Sequence, residues 1–260
     1  MSYPLFDLSG KVALITGGNR GIGFGMAEGL AQAGCDVAIW GRDSARNEEA
    51  VQSLLLQGVR AKAYEVDVSQ EKAVSAGIAE VLADFGRLDS VFANAGIGGT
   101  APAFLDADAK ELHTIVSTNL DGAFFTLREA CKHMAARAKA GDPGGSLVAI
   151  SSIAARVGAP RMQAYAATKA ALLALIRGIA VEYAGAGIRA NAILPGWIAT
   201  DLTAPRQASK TFTERTIGRV PFKRWGEPSD FAGIAVYLTS DASAFHTGAE
   251  FVIDGGFSIA

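Results

Sequence analysis

Short runs of β-branched and apolar residues alternate along this chain with longer stretches of helical period, and that alternation leaves few folds open. Residues 12–16, 36–40, 62–66, 90–93, 146–150, 190–194 and 251–253 read as strands. Residues 22–33, 44–56, 71–85, 118–138, 163–183 and 229–239 read as the helices between them. Strand followed by helix predicts βαβ units, hence an α/β protein built on a parallel sheet. Seven strands in one sheet would consume the chain, so residues 1–260 are expected to form one domain. The Gly- and Pro-rich stretch 141–145 is too short to divide it. Residues 196–228 form the one long irregular stretch; loops of that length in a compact domain are usually functional, so it is expected to be a lid over a substrate.

Composition narrows the function classes. Half the residues are hydrophobic and 19% charged, which excludes wholesale disorder and a coiled coil. A net charge of −2, with no long run of either sign, argues against nucleic acid or an anionic membrane as partner. Residues 1–10 have neither the basic start nor the apolar core of a leader, and no segment runs for about 18 residues without a charge, so a cytoplasmic protein is expected. Cys35 and Cys131 lack metal-ligand or redox spacing and read as buried apolar groups in a reducing compartment. His113, His133 and His246 have no partners at ligand spacing, so no metal is expected.

The first strand runs into Thr16, Gly17, Gly18, Asn19, Arg20, Gly21, Ile22, Gly23, where a helix opens. Glycine lets the backbone turn sharply and come close to a ligand, and a helix N-terminus offers free N–H groups to a pyrophosphate. The spacing is G-x-x-x-G-x-G rather than G-x-G-x-x-G, so the turn suits a dinucleotide without matching the strict fingerprint. The second strand ends Trp40, Gly41, Arg42. An acid there would hold a ribose 2′-hydroxyl; a glycine followed by an arginine suits a 2′-phosphate, and Arg20 and Asn19 could add contacts. NADP is therefore expected over NAD, while Asp43 could cap the next helix.

Hydride transfer to a carbonyl needs a general acid at its oxygen and electrostatic help as charge builds there. Tyr165 and Lys169 lie four apart on an expected helix, hence on one face, and an ammonium favours phenolate. Ser151 and Ser152 both stand at the end of the fifth strand, where open parallel sheets place ligands. Asn119, before the helical run 120–136, could orient a water or satisfy its own helix start.

Taken together these residues resemble the short-chain dehydrogenase/reductase family, of the single-domain kind, over nearly the whole chain. The turn from Thr16 to Gly23 resembles its T-G-x-x-x-G-x-G motif, and Asp67-Val68 its adenine-contacting pair. Asn94-Ala95-Gly96 matches its N-A-G motif, Asp254-Gly255-Gly256 its closing D-G-G, and Asn119, Ser152, Tyr165 and Lys169 its catalytic positions in order. The spacing to Tyr165 selects Ser152 over Ser151. Pro195-Gly196 and Thr200 resemble the P-G-x-x-x-T segment, which places backbone at Ile198 and the Thr200 hydroxyl near the carboxamide.

The resemblance implies a Rossmann doubly wound parallel seven-stranded sheet, order 3-2-1-4-5-6-7, flanked by helices. It implies Tyr165 as acid or base, Lys169 holding the nicotinamide ribose and lowering the tyrosine pKa, Ser152 polarising the carbonyl and Asn119 supporting a water chain. A homotetramer packed through helices 118–138 and 163–183 also follows from it. The substrate is expected to be a ketone or secondary alcohol of modest size, a sugar acid or polyol, with 3-oxoacyl thioesters as the alternative. Its pocket would be walled by residues 154–159, Trp197, Phe212 and the lid, with Arg156, Arg161 and Arg206 as candidate anion contacts. A non-catalytic NADP(H)-sensing protein and a methyltransferase are the rivals from other classes, and the Tyr165–Lys169 pair has no purpose in the second.

Overall fold

In the computed structural model, which describes residues 4–99 and 103–260, seven strands form a single parallel sheet. They are β1 (Val12–Thr16), β2 (Asp36–Trp40), β3 (Ala61–Tyr64), β4 (Ser90–Ala93), β5 (Gly145–Ile150), β6 (Ile188–Pro195) and β7 (Glu250–Ile253). Their order is β3-β2-β1-β4-β5-β6-β7, with β1 pairing in register to both β2 and β4. The chain passes from the outer strand β3 back across to β4, so the crevice beyond the carboxyl ends of β1 and β4 is a topological switch point, where such sheets bind ligands. The first residues of the N-terminal stretch, 1–3, lie outside the described residues.

Both faces of the sheet are covered, which is why its strands read as near-continuous apolar runs. Val12, Leu14 and Trp40 point to one face, under α3 (Glu71–Phe85), α5 (Gly122–Lys139) and α6 (Gln163–Tyr183), meeting Val74, Ile78, Leu127, Leu172 and Ile176. Ala13, Ile15 and Ile39 point to the other, under α1 (Gly21–Gln32), α2 (Ser44–Leu55) and α9 (Ala232–Thr239), meeting Met26, Leu30, Leu54 and Leu238. Each such Leu or Ile contributes about 1.5–3 kcal/mol on leaving water, enough to fix the strand register against a one-residue slip. With 21 residues, α6 is long and apolar enough to cross a membrane by length and composition alone; here its Leu172, Ile176 and Ala180 are buried in the sheet-covering core.

Three stretches depart from the sequence reading. The expected helix 118–138 is a π-helical turn (Ser117–Asp121) running into α5, and it is preceded by a helix the sequence reading lacked, α4 (Ala109–Val116). The start of α4 is fixed by Asp108, whose side chain accepts the Glu111 N–H at 2.7 Å. The lid is not irregular: it holds α7 (Ala204–Gln207) and α8 (Lys210–Ile217), the second capped by the Ser209 side chain accepting the Phe212 N–H. Finally, β3 ends at Tyr64 rather than at residue 66, so Val66 leaves the ladder and turns to the cleft described next.

Candidate active site

Loops at the carboxyl end of the sheet enclose an open cleft of about 830 Å³, a volume ordinary for a ligand site. Its floor is the junction of β1 and β4. The Thr16 hydroxyl oxygen accepts the N–H groups of Asn94 and Ala95, both at 2.9 Å, and the Asn94 amide donates back to the carbonyls of Thr16 (2.9 Å) and Gly17 (3.2 Å). Four hydrogen bonds thus tie the N-A-G turn to the glycine turn. Gly17 and Gly21 take the left-handed φ values of 62° and 52° that other residues resist. A Cβ on Gly23 would collide with the Gly17 carbonyl and the Asn94 amide, so the turn closes only around glycine there.

The helix that follows is open to an anion. Arg20 stands at the N-cap of α1 and provides no side-chain cap, leaving the first N–H groups for a ligand. The cleft is lined by Gly17, Asn19, Arg20, Gly21, Ile22, Gly23, Arg42, Asp67, Val68, Asn94, Ala95, Gly96 and Thr200, all singled out from the sequence. Pro195, Gly196 and Ile198 do not line it. Gly196 packs against Asp254, with no room for a Cβ, and Ile198 faces a smaller cavity of about 170 Å³ behind the lid. Asn19 faces the cleft, yet its amide donates to Asn47 at 2.8 Å, and Asn47 donates to the Gly41 carbonyl at 2.9 Å; the side chain is a brace for the strand end.

The four catalytic candidates do not themselves line the cleft; Asn119 and Lys169 stand directly behind Gly96, which does. Lys169, on α6, is 4% exposed and donates to the Ile150 carbonyl at 2.7 Å. Its Nζ lies 3.4 Å from where a Cβ on Gly96 would stand and 5.6 Å from the centre of the Tyr165 ring. Burial alone brings its pKa down to about 8. Ser151 is spent on structure, donating to the Lys169 carbonyl at 2.7 Å from a buried position. The Ser152 hydroxyl accepts the Ala154 N–H at 3.1 Å and also pairs with the Tyr165 phenol.

Burial raises the Tyr165 pKa above the ordinary phenol value; the Ser152 hydrogen bond and the positive charge of Arg206 pull against it. Asn119 is neither a helix-start residue nor self-satisfied. It sits fully buried in the π-helical turn, accepting the Ile97 N–H at 2.8 Å and donating to the Ile97 carbonyl at 2.9 Å, so it fixes the loop at the end of β4 just after Gly96.

The chain is similar to known proteins along nearly its whole length. A family model described as enoyl-(acyl carrier protein) reductase matches residues 17–258. A gluconate 5-dehydrogenase of Gluconobacter oxydans is 35% identical, covering all of this chain and 99% of that one. The crystal structure of a short-chain type dehydrogenase/reductase from Mycobacterium marinum superposes with a TM-score of 0.92 at 33% identity, covering 98% of each chain. The chain belongs to the short-chain dehydrogenase/reductase family. Also similar is a gluconate 5-dehydrogenase from Burkholderia cenocepacia J2315 in complex with NADP and tartrate, with a TM-score of 0.92, 33% identity and coverage of 99% and 100%.

In this short-chain dehydrogenase/reductase, sequence reasoning passes over one further group at the cleft mouth. Asp201, on the lid, receives Arg20 at 2.9 Å and Arg46 at 2.8 Å. Both arginines line the cleft beside Arg42, which makes no ion pair among the described residues. Arg46 lies one helical turn beyond Arg42, a spacing that could have drawn notice; its partner 155 residues on could not.

Proposed function

We propose that this protein is an NADP(H)-dependent oxidoreductase that interconverts a keto group and a secondary alcohol on a sugar acid or polyol, with Tyr165 as general acid and base. The observation that carries the reading is the pairing of Ser152 with the Tyr165 phenol, with Lys169 over its ring and beside Gly96 of a cleft that is also lined by an uncapped helix N-terminus.

The residues present fit a dinucleotide. The glycine turn leaves no side chain between the cleft and the N–H groups of α1, and Asp67 and Val68 stand on the wall where an adenine would lie. Gly41 stands where an acid would reject a phosphate, and Arg42 stands next to it with its guanidinium uncommitted, which favours NADP over NAD. When bound, the reduced cofactor supplies a hydride to the carbonyl carbon. Ser152 donates a hydrogen bond to the carbonyl oxygen, and Tyr165 gives that oxygen its proton, leaving an alcohol and a phenolate that regains its proton from solvent. Lys169, beside Gly96, is placed to hold a ribose hydroxyl, and the hydrogen bonds of Asn119 keep that strand end fixed.

The substrate class follows the relatives: two gluconate 5-dehydrogenases, one holding a small hydroxy acid. The family-model description favours the thioester alternative, and NADPH oxidation decides between them. The protein is expected to oxidise NADPH with a keto acid derived from gluconate or with a ketohexose, and to leave an oxoacyl thioester untouched. NADPH binding with no turnover of any of the three would sink the reading in favour of a sensor. A homotetramer is supported by apolar side chains exposed on the outer faces of α5 and α6, Phe124 and Val181, together with Phe245 and Ile259; light scattering tests it. A cytoplasmic setting accords with the two unpaired, buried thiols, Cys35 and Cys131.

A further inference from the structure

Three arginines could meet an anion in the substrate pocket, and the structure separates them. Arg156 donates to Glu250 at 2.9 Å, and Arg177 shares that carboxylate at 2.8 Å, so its charge is committed. Arg161 is exposed, on a left-handed turn with φ 67°. Arg206 is half-buried and has no carboxylate partner among the described residues. Its guanidinium lies over the Trp197 ring, 5.8 Å from the centre, and its one hydrogen bond goes to the Met162 sulfur at 3.5 Å. A thioether is a weak acceptor, and most of the five donors of the guanidinium remain for something better.

The backbone that carries this guanidinium is fixed. The Arg206 N–H is bonded to the Thr203 carbonyl at 2.9 Å, and the Thr203 hydroxyl donates to the Ile198 carbonyl at 2.6 Å. Gln207 donates to the Thr203 hydroxyl at 2.9 Å and to the Thr200 carbonyl at 3.1 Å, while Thr200 lies against Gly21 of the glycine turn. Trp197, which the guanidinium covers, is packed edge-on against Phe212 at 5.1 Å and Trp225 at 6.1 Å. Met162, to which Arg206 donates, is the N-cap of α6, and Tyr165 stands in the first turn of that helix, so a substrate whose carbonyl oxygen meets Tyr165 and Ser152 has this guanidinium at the same helix end.

We propose that Arg206 is the substrate-carboxylate receptor of this enzyme, and that it makes the enzyme select keto acids of the sugar-acid class over neutral ketoses. This rests on the oxidoreductase reading above and names the substrate class within it. A planar guanidinium takes a carboxylate through two parallel N–H donors, and exchange of a sulfur acceptor for a carboxylate replaces a weak bond by a charge-assisted pair. A polyol or ketohexose offers only hydroxyls at that place and gains far less.

The test compares wild type, Arg206→Gln and Arg206→Lys on a gluconate-derived keto acid and on a ketohexose, with NADPH affinity measured by fluorescence on each. In Arg206→Gln, kcat/KM for the keto acid is expected to fall about a hundredfold, mostly through KM, and to recover in part in Arg206→Lys. The ketohexose is expected to change less than about fivefold and NADPH affinity not at all, which also reports that the variants fold. Independently of turnover, gluconate is expected to raise the Tm of wild type and not that of Arg206→Gln. Equal losses on both substrates, or keto-acid kinetics unchanged in Arg206→Gln, would overturn the assignment while leaving the oxidoreductase reading intact. NADPH binding without reduction of either substrate by wild type would remove both.

Discussion

The Asp201 carboxylate of the lid lies 2.8 Å from the guanidinium of Arg46 on α2, and the same oxygen receives Arg20 at 2.9 Å. A lid residue therefore holds two of the three arginines at the cleft mouth. All three side chains are about half exposed, so the pairs add little to stability. Their consequence is local: a 2′-phosphate arriving beside Arg42 has to compete with Asp201 for the neighbouring guanidinium groups. Asp201→Asn is expected to tighten NADPH binding about three- to tenfold, to leave NADH unchanged and to shift Tm by less than about 2 °C. Titration of both cofactors at two salt concentrations measures it. An equal gain for NADH would show that Asp201 opposes the pyrophosphate instead.

Under the proposed function, Arg42 carries the cofactor preference. Gly41, before it, contributes no side chain, and a Cβ there would strike Asn19 and Asn47, so the acid that would favour NAD cannot be accommodated without repacking. Arg42→Ala is expected to weaken NADPH about ten- to a hundredfold and NADH less than twofold, the loss of one charge-assisted contact to phosphate. Comparable losses for both cofactors would mean that the arginine serves a group the two share.

Much of this architecture was legible in the chain, for reasons that differ by element. The central strands could be read because they are buried on both faces, and the switch point because Thr16, Gly17 and Asn94 meet there through residue types that permit little else. The π-helical turn could not: Ser117, Thr118 and Asn119 have no composition that distinguishes it from the α-helices on either side, so the residues alone left Asn119 between orienting a water and satisfying a helix start. The lid helices did carry signals, Pro205 in a first turn and Ser209 at an N-cap, but α7 has four residues and α8 eight, too few for a periodic pattern to stand out. Arg206 was visible as one arginine of three; only the commitment of Arg156 to Glu250 sets it apart.

Under the proposed function, proton transfer at Tyr165 sets the pH dependence of the two directions. Burial keeps the phenol pKa high, so around neutral pH it is protonated, the form needed to reduce a ketone. Alcohol oxidation needs the phenolate, whose fraction grows tenfold per pH unit below the pKa. Oxidation kcat/KM is therefore expected to rise with pH between about 7 and 9 at a logarithmic slope near one, while reduction stays flat. Tyr165→Phe is expected to lower both by about a thousandfold or more with NADPH affinity retained. An oxidation rate independent of pH across that range would place the proton acceptor elsewhere.

Lys169 makes the unliganded protein sensitive to alkali in a way that isolates one residue. Its ammonium is buried with a single carbonyl acceptor, and its pKa falls to about 8 in the folded chain against about 10.4 in the unfolded one. Below pH 8 both states carry the proton and the burial cost is present in full. Between the two values the unfolded chain still binds a proton that the folded chain has released, so stability rises with pH, and above the unfolded value the cost is gone. Lys169→Met has no such titration. The unfolding free energy of wild type relative to Lys169→Met is expected to increase by about 2 kcal/mol between pH 7.5 and 10, measured by urea denaturation without cofactor. A difference that stays constant over that interval would mean the ammonium keeps its proton in the folded state, and that its bond to Ile150 offsets the desolvation.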